Sequence, residues 1–179
     1  HSIRRRQRQM CIRDRNVAAP QFTHQDVPNL TKRVLRDTGL NPKNLKLEIT
    51  ESVAMKDVSK TIATLEHLNQ MGLGISIDDF GTGYSSLSYL KQYPIHTLKI
   101  DRSFVMDIPH DPDNMSITST IIAMAKNLNL SIIAEGVENE DQIAFLEEHN
   151  CDQVQGFYLS KPLNTEDTLA PVSYTHLTL

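Results

Sequence analysis

Asp78-Asp79-Phe80-Gly81-Thr82-Gly83-Tyr84-Ser85-Ser86 follows directly on the apolar run Leu73-Gly74-Ile75-Ser76-Ile77. The apolar run reads as a short buried strand. Two adjacent carboxylates stand at its C-terminal end, and two glycines and a Ser-Ser pair then turn the chain toward a helix. Neighbouring carboxylates are costly to hold together without a compensating charge. At the top of a strand, a divalent cation bound through oxygen supplies that charge. A solvated acidic turn would look the same in isolation, so the rest of the chain has to decide.

The chain has 179 residues, 39% of them hydrophobic and 22% charged, the make-up of one ordinary globular domain with a sizeable core. No apolar run approaches the roughly 18 residues of a membrane span, and no signal-type stretch opens the chain. Cys11 and Cys151 make neither a metal spacing nor a disulfide framework, so a reducing, cytoplasmic compartment is expected, with any membrane anchor on domains outside this chain. Six of the 18 Lys and Arg, but one of the 22 Asp and Glu, fall in residues 1–15. The remainder is therefore acidic, which argues against a DNA or RNA partner and suits a cation site.

Both ends resemble translated sequencing-adapter read-through: Arg-Gln-Arg-Gln-Met-Cys-Ile-Arg-Asp at residues 6–14, and the tail from Pro171 to Leu179. Residues 1–15 and 169–179 are accordingly expected to lie outside the fold, leaving 16–168 as the domain.

Within that span, strand and helix signals alternate. Asn16-Val17-Ala18-Ala19-Pro20 reads as the end of a strand. Asp26 caps a helix with Val27, Leu30, Val34 and Leu35 on one face, closed by Gly39. Residues 45–51 alternate apolar and polar, a strand. Asp57 caps a helix striped by Val58, Ile62, Leu65 and Leu68, and the strand into Asp78 follows. Leu87 and Leu90 sit on a short helix before Pro94, and 95–101 alternate again. Residues 102–114 read as a long polar loop. A helix is expected over 115–129 with Ile117, Ile121, Met124 and Leu128 inward, then a strand at 131–135, a helix capped by Asn139, and a last strand over 153–158. Strands beginning near 45, 73, 95, 131 and 153, each followed by a helix, predict parallel βα units. No Gly-x-Gly-x-x-Gly follows a strand. A TIM-like (β/α) barrel is the fold expected, N-terminally truncated because such barrels need about 200–250 residues.

Parity gathers the polar groups. Glu48 opposes Leu47 and Ile49, Asp78 opposes Ile75 and Ile77, and Lys99 and Asp101 oppose Leu98 and Ile100. Glu135 and Gln155 sit late in their own strands. In a barrel these strand ends form one mouth, where the chemistry of such folds takes place. Carboxylate and amide oxygens suit Mg²⁺ or Mn²⁺ rather than Zn²⁺. His24, His67, His96, His110 and His149 have no ligand spacing and read as surface or structural.

The motifs Glu48-Ile49-Thr50-Glu51-Ser52, Asp78-Asp79-Phe80-Gly81-Thr82-Gly83-Tyr84-Ser85, Lys99-Ile100-Asp101, Glu135-Gly136-Val137-Glu138 and Gln155-Gly156-Phe157, in this order, resemble those of the EAL-domain phosphodiesterases. The resemblance runs over about residues 16–168. It implies a TIM-like barrel that hydrolyses cyclic di-GMP to linear pGpG with two Mg²⁺ or Mn²⁺ ions. By position it implies that Asn16, Glu48 and Asp78 bind one metal, and that Asp78 bridges to a second held with Asp79 and Glu135. It further implies that Lys99 orients or helps deprotonate the attacking water, with Asp101, Glu138 and Gln155 completing the surroundings. Glu51 would anchor the loop of Phe80, Gly81, Thr82 and Gly83 through Ser86, coupling the site to a homodimer interface. Two departures stand out: the Glu-Ala-Leu strand that names the family is absent, and Ala18 takes the place of the serine usual after Asn-Val. A receptor module that binds cyclic di-GMP without turnover is the alternative expectation.

Overall fold

The computed structural model describes residues 12–83, 87–162 and 177–178. Tyr84, Ser85, Ser86 and residues 163–176, on which some of the sequence expectations fall, lie outside them, as do residues 1–11 and 179. The chain divides into two compact units. The first holds the described residues up to Asp78 together with Gly83–His96. The second holds Asp79–Thr82 and the described residues from Thr97 onward.

In the first unit β1 (Arg13–Asn16), β2 (Leu45–Thr50) and the body of β3 (Gly74–Phe80) are parallel neighbours. The helices between them are α1 (Ala19–His24), α2 (Val27–Thr38), α3 (Glu51–Lys56) and α4 (Val58–Gln70), with the short α5 (Leu87–Leu90) after β3. Asp26 and Asp57 cap α2 and α4, accepting from the backbone N–H of Asn29 and Lys60. Gly39 ends α2 at φ 67°. These are the predicted starts and stops, and they come from short side chains able to accept an orphan amide.

The second unit takes β3 from Asp79, then β4 (Thr97–Ile100), β5 (Ser131–Glu135) and β6 (Gln153–Gln155), all parallel, with α6 (Arg102–Val105), α7 (Pro112–Asn127) and α8 (Glu140–Glu148) between them. A two-residue strand, β7 (Leu177–Thr178), adds antiparallel to β6. Both faces of the central strands are covered. Ile75, Ile77, Leu98, Ile100, Ile132 and Val154 are fully buried, and so are Ser76 and Lys99 on the opposite parity. Burial on both faces is what parallel strands flanked by helices require.

Several expectations need correction. Arg13, Asp14 and Arg15, set outside the fold, pair with Leu45, Lys46 and Leu47, and all four β1 side chains are exposed. Leu177 and Thr178 of the excluded tail pair with Val154 and Gln153. The polar loop of 102–114 is instead largely helical: Asp101 caps α6, and α7 starts at Pro112, capped by Asp111. Proline at the first helical position fits there because its missing N–H would have had no partner. Ile117 and Val34, expected inward, are exposed. Glu51 opens a helix rather than ending a strand, and the last strand stops at Gln155. Beyond it, a methyl group built on Gly156 would overlap the backbone of Val137, so two main chains cross there at a distance only glycine allows.

Candidate functional site

Within the first unit, strand pairing aligns the expected ligands. Asn16 lies beside Glu48 and Glu48 beside Ser76, while Asp78 is two residues further along β3 on the same parity. Glu48 is buried and Asn16 exposed. Glu51 is also buried, and its Oε2 accepts the backbone N–H of Gly83 at 3.2 Å. The two groups sit so close that a methyl group on Gly83 would stand 3.0 Å from Glu51 Oε1.

Asp79 breaks the strand rule. Regular alternation would send Asp78 and Asp79 to opposite faces. Asp79 instead has φ 53°, a left-handed conformation that aspartate tolerates better than most residues. The turn beyond it is tied back, with Thr82 Oγ1 donating to the Asp79 carbonyl at 2.8 Å, and Gly81 follows at φ 103°. Asp79 and Glu135 thereby offer carboxylate oxygens within 4.8 Å of each other, both half-buried, and Asp78 immediately precedes Asp79 in the chain. Such a conformation at an acidic pair is the kind of local strain that collects at functional sites.

On β4, Lys99 is buried and its Nζ lies 2.6 Å from Glu135 Oε1. Register explains the meeting: Lys99 pairs with Ile133, and Glu135 is two residues on, on the same face. Glu135 in turn pairs with Gln155. Asp101 and Glu138 are held elsewhere. Asp101 Oδ1 accepts from the Ser103 N–H at 2.9 Å and from its hydroxyl, capping α6. Glu138 Oε1 accepts from Arg102 at 2.7 Å. Phe80 is buried.

Hard, anionic oxygens in a half-buried cluster are the donor set that Mg²⁺ and Mn²⁺ select, and among the described residues this is the group able to hold such an ion. Among the described residues, no histidine is brought to it. His96, for one, accepts from the Ile75 N–H through Nδ1 and donates its own backbone N–H to Ile75 O, a structural tie to β3. Sequence reasoning missed Arg102 and Phe104, whose side chains pack on Gly136 and Gly81. Their signal was faint: two residues in what read as loop, immediately after Asp101.

Comparison with known proteins adds the following. The EAL domain family model matches residues 1–162. The bifunctional diguanylate cyclase/cyclic di-GMP phosphodiesterase MucR of Pseudomonas aeruginosa is 48% identical over 158 residues, 88% of this chain and 23% of that protein. The cyclic di-GMP phosphodiesterase PdeR of Escherichia coli is 37% identical over 148 residues, 83% of this chain and 22% of that protein. This chain thus spans about a fifth of the length of these relatives. Among solved structures, PaMucR phosphodiesterase in complex with c-di-GMP superposes with a TM-score of 0.85 at 47% identity, over 87% of this chain and 63% of that one. The manganese/cyclic di-GMP complex of Klebsiella pneumoniae BlrP1 gives 0.76 at 28% identity, over 83% and 38%. The TIM-like α/β barrel expected from the strand order is the fold of these structures.

Proposed function

The chain belongs to the EAL domain family, and from that premise we propose that it carries the catalytic residues of a phosphodiesterase that hydrolyses cyclic di-GMP to linear pGpG. The observation that carries this reading is the half-buried carboxylate pair Asp79–Glu135 with the buried Lys99 ammonium bonded to Glu135. Asn16, Glu48 and Asp78 would hold one Mg²⁺ or Mn²⁺, and Asp78, Asp79 and Glu135 a second. Divalent cations at these groups supply Lewis acidity toward water and a phosphodiester oxygen. The residues of the chain do the rest. The carboxylates fix the geometry and keep the site anionic until it is loaded. Glu135 holds Lys99 in place through their ion pair, so that its ammonium orients the attacking water and places positive charge where the phosphate gathers negative charge. Asp101 and Glu138 act by holding the backbone beside the site, through Ser103 and Arg102. Gln155 borders Glu135 on the next strand. Glu51 steadies the turn at Gly83, through which a second copy of the chain would be sensed. A cytoplasmic setting follows from the substrate, a soluble nucleotide; among the described residues no helix is long and apolar enough to cross a membrane.

The test is product formation and Mn²⁺ binding by this chain, its Asp78→Asn variant and its Lys99→Ala variant. A version extended upstream through a Glu-Ala-Leu strand is expected to form pGpG, whereas this chain, without that strand, is expected to bind Mn²⁺ with no detectable hydrolysis. Turnover is therefore read from the extended version and its variants. Asp78→Asn should weaken Mn²⁺ binding and lower turnover by about 10²- to 10³-fold, the scale of losing one major electrostatic group. Lys99→Ala should lower kcat far more than it raises KM, because its interaction strengthens in the transition state. Cyclic di-GMP bound without turnover would favour the receptor reading, and absence of Mn²⁺ binding would end the metal reading.

A further inference from the structure

The two clustered carboxylates of the second unit, Asp79 and Glu135, are each followed closely by a glycine with positive φ: Gly81 two residues after Asp79, at φ 103°, and Gly136 one residue after Glu135, at φ 75°. Both glycines are roofed by the same single turn of helix, α6. A methyl group on Gly81 would lie 2.6 Å from Phe104 Cε2 and 3.3 Å from Ile121 Cδ1. One on Gly136 would overlap Cγ and Cβ of Arg102. Neither approach is casual. The Arg102 stem lies flat across the Gly136 turn, and its guanidinium closes on Glu138 at 2.7 Å, so it spans the turn from both sides. The Phe104 ring covers Gly81, and Phe104 O accepts from the Thr118 hydroxyl at 3.1 Å, tying the same residue to α7.

The helix itself is fixed from two directions. Asp101 caps its start through Ser103. The buried Gln142 donates to the carbonyls of Val105 and Met106 at 3.1 Å each, while its Oε1 accepts the N–H of Glu138 at 2.6 Å. Thus α6 and the turn after Glu135 share one anchor.

We infer that Arg102 and Phe104 are positioning residues for the metal-binding carboxylates: α6 clamps the turn after Asp79 with one side chain and the turn after Glu135 with another, setting the separation of the two acidic groups. Neither residue touches the cation. Each acts through a glycine turn, and the two glycines are what allow the side chains to come that close. The inference rests on the metal reading given above and deepens it.

The test is Mn²⁺ affinity of the 179-residue chain, read from the free-ion electron paramagnetic resonance signal, alongside thermal melting of the metal-free protein. Outer-shell partners of metal ligands typically carry 10- to 100-fold in affinity. Arg102→Ala and Phe104→Ala should each raise the Mn²⁺ dissociation constant about tenfold or more, with cooperative melting retained. Arg102→Lys keeps the aliphatic stem over Gly136, and Phe104→Leu keeps apolar cover over Gly81; both should recover much of the affinity. Arg102 is exposed, so its variants report even if Phe104→Ala fails to fold. Variants that melt lower but bind Mn²⁺ within twofold of the parent would overturn the clamp and leave the metal reading standing. A parent that binds no Mn²⁺ would overturn both, whereas a version extended through a Glu-Ala-Leu strand that binds Mn²⁺ without hydrolysing cyclic di-GMP would overturn only the proposed activity.

Discussion

Cys151 sits with 2% exposure between α8 and β6, and its thiol contacts the carbonyl of Gln153. Burial, above all, pushes its pKa up from 9.0 to about 11. The sign of the consequence follows. Above pH 9 the unfolded chain releases this proton while the folded chain keeps it, so the folded state binds more protons and stability falls as pH rises from 9 toward about 11. Chemical denaturation across that range should show the parent losing roughly 2–3 kcal/mol relative to a Cys151→Ala variant, which lacks the group. Parallel pH profiles would show that the thiol is not held protonated by the fold. At this same scale, the candidate site was partly legible in the sequence. Position late in their strands predicted that Lys99 and Glu135 lie at one mouth, because parallel βα units bring those strand ends together. It could not predict that Asp79 joins them. That depends on one left-handed dihedral, which an aspartate can adopt but strand alternation does not announce; only the likeness of its motif to the family's implied Asp79.

At the scale of elements, strands and long helices were readable because their signals are redundant. Leu65 and Leu68 of α4 are both buried where the stripe placed them, and Asn139 caps α8 with a full capping box. The short α6 was not readable, since four residues carry no periodicity and its stability comes from what holds it. Gln142 is the clearest such support. It is 1% exposed, closes the capping box of α8 by accepting from the Asn139 N–H, accepts from Glu138 N–H, and donates to two carbonyls of the α6 region. Replacing it with alanine would strand several buried backbone groups. A single stranded group costs about 1–3 kcal/mol. Gln142→Ala should therefore destabilise the chain by roughly 2–4 kcal/mol in urea melts. It should also weaken Mn²⁺ binding, since α6 would lose its second anchor. A loss under half a kcal/mol would mean that water replaces the amide at little cost. The reading of 102–114 as loop failed for a related reason. Asp101 and Asp111 are helix caps, but polar residues and prolines in a short span signal caps and loops alike.

Taken whole, the molecule is an acidic α/β chain of two compact units, with a net charge of −4 and the parallel strands of its family. Its fold class was legible because strand and helix signals alternate through the length of the domain, a property no single element carries. What the ends contribute was harder to judge: Arg13–Arg15 and Leu177–Thr178 pair through backbone groups, and backbone pairing leaves no mark on composition. The glycines show how unevenly such a chain can drift. Gly39 has open space around the missing side chain and asks only for a left-handed backbone, so asparagine should serve there. Gly156 has the main chain of Val137 where any side chain would begin. In a saturation library sorted only for folded protein, position 39 should return glycine with asparagine, and position 156 should return glycine alone. Recovery of alanine at 156 would show that the crossing can open. If it cannot, that crossing is a fixed point of the lineage, a place where descent has no neighbouring sequence to step to.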